Sequence, residues 1–186
     1  MPPRSASSPA LCPECGARGA PAPSVTIASL VRPEALAALA TTEGFRFCAS
    51  VECGTVYFHP ETGETVARSG MRIRVGQKER GPDRTLCYCF GYKAGEVQGR
   101  AAAGEGSTIL RDIGEKCARG LDRCPETNPR GACCLGEVKA AIEEARRRLA
   151  GSPSSNLPGH QDECPSPSRG SFPATPNWKR RKEERS

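Results

Sequence analysis

Eleven of the 186 residues are cysteine, and nine of them fall into two spaced sets. The first set opens with Cys12-Pro13-Glu14-Cys15-Gly16 and closes with Cys48-Ala49-Ser50-Val51-Glu52-Cys53-Gly54. Two thiolates separated by two residues reach one ion because the tight turn between them points backbone N–H groups at the sulfurs. A glycine after the second cysteine permits the left-handed backbone that such a turn needs. The two knuckles, 32 residues apart, supply four sulfurs. Four thiolates in a tetrahedron suit Zn(II), with bonds of about 2.3 Å, and leave no position for a reactive water, so the site they make is structural. His59 follows Cys53 by six residues and is an alternative ligand; a core or surface histidine is the simpler reading.

The second set is Cys87-Tyr88-Cys89, then Cys124 after 34 residues, then Cys133-Cys134. Two sulfurs flanking a single residue are awkward for a zinc knuckle. They suit a binuclear iron–sulfur cluster, whose four terminal thiolates span a wider inorganic core. The Cys133-Cys134 pair also opens a strongly helical pattern. A thiolate-ligated cluster is an anion, and a helix start offers it free N–H donors and the positive end of the helix dipole.

The elements that must hold these cysteines are built from little. Only 28 residues are Leu, Ile, Val or Phe, below roughly one fifth of a chain, the level under which compositions read as disordered. A thin core needs covalent or metal staples. The N-terminus shows no apolar segment of a secretory signal and the chain has no run of 18 apolar residues. The expectation is therefore a cytoplasmic protein with reduced thiols and no membrane insertion, and the odd cysteine count also fits a disulfide framework poorly.

Residues 1–10 read as a flexible lead-in. Residues 151–186, with six Pro, seven Ser and a basic run Lys179-Arg180-Arg181-Lys182, read as a disordered tail. Between them the chain divides at the polar stretch 77–83, giving a zinc-binding unit at 11–78 and a cluster-binding unit at 84–150. In the first, Ser24–Leu30 is expected as a strand and Pro33 as the first residue of a short helix carrying Leu36 and Leu39. Phe45–Phe47 and Thr55–Phe58 are expected as strands flanking a turn, and Val66–Val75 as a half-buried strand alternating around Met71, Ile73 and Val75. In the second, Lys93–Ala103, Ser107–Arg119 and Leu135–Leu149 are expected helices. The last carries Leu135, Val138, Ala141, Ile142, Ala145 and Leu149 on one face. The fold class is α+β: a small zinc-stapled β-rich part, a helical part and disordered termini.

The string Cys87-Tyr88-Cys89-Phe90-Gly91-Tyr92, followed by Asn128-Pro129-Arg130-Gly131-Ala132-Cys133-Cys134-Leu135-Gly136-Glu137-Val138, resembles the 2Fe–2S domain of CopZ-type metallochaperones. That domain is similar in turn to bacterioferritin-associated ferredoxin (BFD), a helix–turn–helix unit with the cluster between helix starts. The Cys-Pro-Glu-Cys-Gly turn and Phe45-Arg46-Phe47-Cys48…Cys53-Gly54-Thr55-Val56-Tyr57-Phe58 resemble the zinc-binding domain that precedes it. The resemblance covers residues 11–145. It implies Cys12, Cys15, Cys48 and Cys53 for zinc, and Cys87, Cys89, Cys124 and one of Cys133 or Cys134 for the cluster. Cys134 is preferred, because apolar residues at about +4 and +7/+8 from the last ligand are then Val138, Ala141 and Ile142. Cys117 reads as a small core residue, and Cys164 has no role. The family's heavy-metal-associated copper domain, with its own Cys-x-x-Cys, is not expected here, since the chain's single Cys-x-x-Cys is Cys12…Cys15.

The expected function is that of an iron–sulfur and zinc-binding metallochaperone-like protein in copper homeostasis, with one-electron transfer or reduction of Cu(II) to Cu(I). An electron-transfer protein fits better than a dedicated enzyme, because the chain has two histidines, no phosphate loop and no paired acids in an apolar setting. The resemblance implies as partners an electron donor, a copper ion, and a metal-export ATPase or separate copper chaperone. An iron–sulfur sensor without redox turnover is the alternative. A zinc-ribbon nucleic-acid binder is the weakest reading: the net charge of +6 falls to about +2 once two sites of net −2 are loaded, and aromatics are sparse.

Overall fold

The computed structural model describes residues 10–151. The expectations for 1–9 and 152–186, with the basic run and Cys164, lie outside the described residues. A four-stranded antiparallel sheet is assembled in chain order from β1 (Ala20–Pro21), β2 (Arg46–Phe47), β3 (Thr55–Phe58) and β4 (Thr65–Ala67). Phe47 pairs with Ala20 on one side and Tyr57 on the other, and a bulge interrupts the β3–β4 register between Thr55 and Tyr57. Helices α1 (Ser24–Leu30) and α2 (Pro33–Ala37) fill the crossover from β1 to β2. Pro33 opens α2, its fixed φ matching the first helical position. Beyond the sheet, β5 (Thr85–Cys87) and β6 (Tyr92–Lys93) form a hairpin. Four helices follow: α3 (Ala94–Ala102), α4 (Gly106–Ala118), α5 (Cys124–Thr127) and α6 (Leu135–Leu149). The chain is thus mixed α/β, sheet-rich at its N-terminal side and helical at its C-terminal side.

Two sequence expectations are corrected. Ser24–Leu30 is the helix α1 rather than a strand. Its β-branched Val25, Thr26 and Ile27 favour a strand locally, but the edge position beside β2 is already taken by Ala20–Pro21. Thr26, Ile27 and Leu30 are buried, a helical spacing that points one side at the core. The strand expected over Val66–Val75 stops at Ala67. A 3₁₀ turn, Arg68–Gly70, follows, and only a single bridge, Met71 with Val31, continues the pairing. Met71 and Val75 are buried and Ile73 packs beside them, so the alternation is real but is not carried by a ladder. The helices α3, α4 and α6 match expectation within a residue or two. Leu149, however, is 66% exposed at the C-terminal end of α6, where the packing has run out.

Apolar side chains gather in separate clusters. One lies around the sheet: Ile27, Leu30, Val31, Phe45, Phe47, Val56, Tyr57, Val66, Met71 and Val75. A second joins the hairpin to α3, α4 and α6, with Leu86, Val97, Ile109, Ile113, Val138 and Ile142 at its centre. α4 approaches α6 closely enough that a Cβ on Gly106 would lie 2.7 Å from Ile142 Cγ2.

The expected divider at 77–83 is tightly held where it begins. Gly76–Lys78 is a 3₁₀ turn, and Lys78 is 2% exposed with Nζ donating to Ser50 O at 2.8 Å. The turn after α5 is seated against the start of α1. There Gly131 has φ +66°, and a Cβ on it would lie 2.6 Å from Thr26 Oγ1 and collide with Pro23. Gly131→Ala combines a left-handed backbone penalty with overpacking and is expected to cost about 2–4 kcal/mol. Gly99→Ala, in α3 with no atom near the added methyl, is expected to stabilise by about 0.5–1 kcal/mol. Chemical denaturation of the zinc-loaded protein reads both; equal midpoints for the two variants would refute this account of the turn.

Candidate metal centres

The first cysteine set converges. The Sγ atoms of Cys12, Cys15, Cys48 and Cys53 all lie within 4.8 Å of one another. Cys12 and Cys53 are 3.8 Å apart, and Cys15 and Cys48 3.6 Å. A tetrahedron with metal–sulfur bonds of about 2.3 Å has sulfur–sulfur edges of about 3.8 Å, so the cage has the dimensions of a Zn(Cys)₄ site. Local chain geometry makes the cage. Gly16 N donates to Cys12 O at 2.8 Å with φ +70° at Gly16, closing the first knuckle. Cys53 N donates to Ser50 O at 3.3 Å in the second. Cys12, Cys48 and Cys53 are buried against Phe58 of β3, while Cys15 faces solvent.

Charges surround the sulfurs in a matching pattern. The Ala17 N–H holds the Cys15 thiol down at about 7, whereas burial pushes Cys48 and Cys53 up. Lys78 Nζ, seated on the Ser50 carbonyl inside the second knuckle, opposes that rise at Cys48. Arg68 donates from Nη2 to the carbonyls of Val51 and Cys53, the latter at 3.1 Å. Glu14 ties the knuckles together: its carboxylate accepts from Gly54 N at 2.8 Å, Thr55 N at 2.8 Å and Thr55 Oγ1 at 2.7 Å. The Gly54 N–H above all holds the Glu14 carboxyl at about 2.

His59 takes no part in the cage. It is buried, its Nδ1 accepts from Glu61 N at 3.2 Å and Thr62 N at 3.1 Å, and its ring meets the edge of Phe45.

The second set is anchored by one thiol pair. Cys89 Sγ lies 3.6 Å from Cys124 Sγ, and Cys87 and Cys134 are buried in one apolar cluster against which Cys89 packs. Cys87 ends β5, Cys89 lies in the hairpin turn, Cys124 opens α5 and Cys134 caps α6. Cys87, Cys124 and Cys134 are buried and Cys89 is half-buried. Cys89 Sγ also lies 3.2 Å from Thr127 Oγ1 and accepts from Arg123 N at 3.2 Å. The Cys124 hydrogen bond, then the Thr127 hydroxyl and the Arg123 N–H, hold the Cys89 thiol at about 6. Cys124 and Cys134 are pushed up by their thiol partners and by burial.

Cys133 is half-buried and is not one of the free thiols. Cys117 packs against the helical core, where burial pushes its thiol up to about 11.

Residues 9–71 match the family model described as "Zinc binding domain", zf_CopZ. The copper chaperone CopZ of Archaeoglobus fulgidus is 31% identical over 166 residues, covering 72% of this chain and 78% of that protein. This chain belongs to the CopZ family. The X-ray structure of the N-terminal domain of A. fulgidus CopZ aligns with a TM-score of 0.51 at 26% identity, over 77% of this chain and 99% of that one. The chain therefore carries a zinc-binding domain and belongs among metal-handling proteins. Among the described residues, no helix is long and apolar enough to cross a membrane.

Sequence reasoning missed Glu14, Arg68 and Lys78. Glu14 had a signal, its place between Cys12 and Cys15; the two cations had none, because their acceptors lie 15 to 28 residues away. Glu14→Ala is expected to weaken zinc binding about 10- to 100-fold, the usual effect of losing a residue that orients ligands, read by competition with a chromophoric chelator. Since the Glu14 carboxyl titrates at about 2 when folded against 4.5 ordinarily, its tie is complete above about pH 4.5 and is lost as the pH falls toward 2. Wild type and Glu14→Ala should converge at the acid end of that window.

Proposed function

We propose that this protein holds zinc on Cys12, Cys15, Cys48 and Cys53 and a 2Fe–2S cluster on Cys87, Cys89, Cys124 and Cys134, and that it transfers single electrons in copper handling. Residues 11–78 form the zinc unit and residues 84–150 a BFD-like cluster unit. The observation that carries the reading is the gathering of the second set: Cys89 Sγ lies 3.6 Å from Cys124 Sγ, and Cys87 and Cys134 are buried in the apolar cluster on which Cys89 packs. Four terminal thiolates are what a binuclear cluster takes, and sulfurs spread over separate chain segments suit two irons better than one tetrahedral ion. When bound, such a cluster supplies one electron at a time, enough to take one Cu(II) to Cu(I). Each turnover then needs one electron from an external donor.

The protein's own groups prepare the site for an anion. Arg123 N–H and the Thr127 hydroxyl address Cys89, and Cys134 stands at the start of the 15-residue helix α6. These donors stabilise negative charge on sulfur and so tune the potential at which an electron is accepted. Burial of Cys87, Cys124 and Cys134 keeps water off three of the four sulfurs, and half-exposed Cys89 marks the edge where electron partners approach. Lys116, which pairs with Asp112 at 2.6 Å, stands 5.1 Å over the ring of Phe90, the residue after Cys89.

The copper role is supported by the family relative, a copper chaperone. Its product Cu(I) passes to an export ATPase or to a separate copper chaperone. Free thiols at both centres fit work in a reducing compartment such as the cytoplasm.

Anaerobically purified protein is expected to be red-brown with iron, sulfide and zinc near 2:2:1, and its dithionite-reduced form to give an electron paramagnetic resonance signal. Cys87→Ser and Cys134→Ser should lose iron and keep zinc, Cys12→Ser should lose zinc, and Cys133→Ser should keep both. Colourless protein with zinc alone after reconstitution would refute the cluster assignment. A cluster that cycles reversibly but leaves Cu(II) unreduced would refute the copper step.

A further inference from the structure

The loops that carry the second thiol set are held from outside, by the sheet side of the molecule. Tyr57 of β3 is fully buried, and its hydroxyl donates to Pro129 O at 2.7 Å, five residues before Cys134. Thr26 of α1 donates to Pro125 O at 2.5 Å, in the residue after Cys124. Tyr88, the residue between Cys87 and Cys89, accepts at its hydroxyl from Gly76 N at 2.6 Å and reaches Arg74 O at 3.3 Å. Asn128, 1% exposed, closes the Cys134 loop through Ala132 O at 2.7 Å and receives Gln77 Nε2 at 3.3 Å. Every segment bearing a second-set cysteine therefore has a partner on the far side of residue 80.

Those partners lead back to the zinc cage by short covalent paths. Tyr57 lies four residues after Cys53 on β3, whose Phe58 packs on Cys12, Cys48 and Cys53. Gly76 and Gln77 adjoin Lys78, whose ammonium is anchored on Ser50 between Cys48 and Cys53. Order in the cage fixes β3 and the Gly76–Lys78 turn, and these fix the Cys134 loop and the Cys87–Cys89 turn.

We propose that the zinc cage preorganises the second thiol set through Tyr57, Tyr88 and Thr26, so that zinc loading governs how firmly, and at what potential, the second centre holds its metal. These three are positioning residues: none offers a ligand atom. The potential readout rests on the cluster assignment above; the coupling itself does not.

The test uses the full chain, zinc-loaded, as wild type, Tyr57→Phe, Tyr88→Phe, Thr26→Val, Thr26→Ser and the triple variant Thr26→Val/Tyr57→Phe/Tyr88→Phe. In cluster-free protein, alkylation of Cys89, Cys124 and Cys134 by iodoacetamide is followed by mass spectrometry. In reconstituted protein, iron release to a ferrous chelator and the midpoint potential are measured. Each lost hydroxyl is expected to speed alkylation and iron release about fivefold, the weight of one hydrogen bond. The midpoint potential should shift, zinc content should not change, and Thr26→Ser should behave as wild type. Stripping zinc from wild type should speed alkylation of the same three cysteines.

Unchanged alkylation in the triple variant, or after zinc removal, overturns the coupling. Protein that takes up no cluster yet shows the alkylation response upholds the coupling and defeats the cluster assignment. Protein that binds a cluster whose release and potential ignore all three hydroxyls does the reverse.

Discussion

Four thiolates drawn to within 4.8 Å of one another repel, and only a cation at their centre lets the surrounding chain close over them. Even with zinc the site keeps a net charge of about −2, so the neighbourhood must present positive ends. The knuckle turns do this with backbone N–H groups, and Arg68 and Lys78 do it with full charges placed on the knuckle carbonyls. Lys78 makes the dependence mutual. An ammonium 2% exposed is costly to bury unless paired, and the anionic cage and the Ser50 carbonyl are what offset that cost. Metal, cage and buried lysine form one electrostatic unit on which the sheet is built.

The same unit explains how a chain so poor in large aliphatics folds. The sheet's strands are two to four residues long, too short to be stable by pairing alone. Cys12, Cys48 and Cys53 stand in for apolar core residues around Phe58, and zinc converts them into a crosslink between chain segments more than 30 residues apart. Structural zinc supplies about 10–16 kcal/mol of apparent binding energy at neutral pH, comparable to the whole stability of an ordinary domain. The helical side uses a more conventional core, yet Cys87 and Cys134 belong to it as well. In both places thiols help to fill the core.

The similarity to the A. fulgidus CopZ N-terminal domain spans 99% of that chain, whereas the zinc-binding family model ends at residue 71. The shared architecture thus extends past the zinc unit into the helical side. A solvent-filled gap between the two sides would leave Tyr57, Thr26 and Tyr88 without their partners. Their bonds span 72, 99 and 12 residues of sequence, so these contacts join the two cysteine sets in one tertiary arrangement.

The sequence alone determined what depends on local spacing. The two cysteine sets, the zinc geometry of the first, the start of α2 at Pro33 and the bounds of α6 were all legible, because turn chemistry and a 3.6-residue period act over a few residues. Where local preference and tertiary demand disagreed, reading failed. Val25, Thr26 and Ile27 favour a strand by themselves, but the sheet edge was filled by Ala20–Pro21 and the segment became α1. Met71, Ile73 and Val75 alternate like a strand but have no neighbouring strand to pair with. Tertiary structure alone decided that Cys89 meets Cys124 and that Lys78, Tyr57 and Tyr88 tie the sets together. Such contacts leave no periodic trace, because the residues that make them meet only after the chain has folded back on itself.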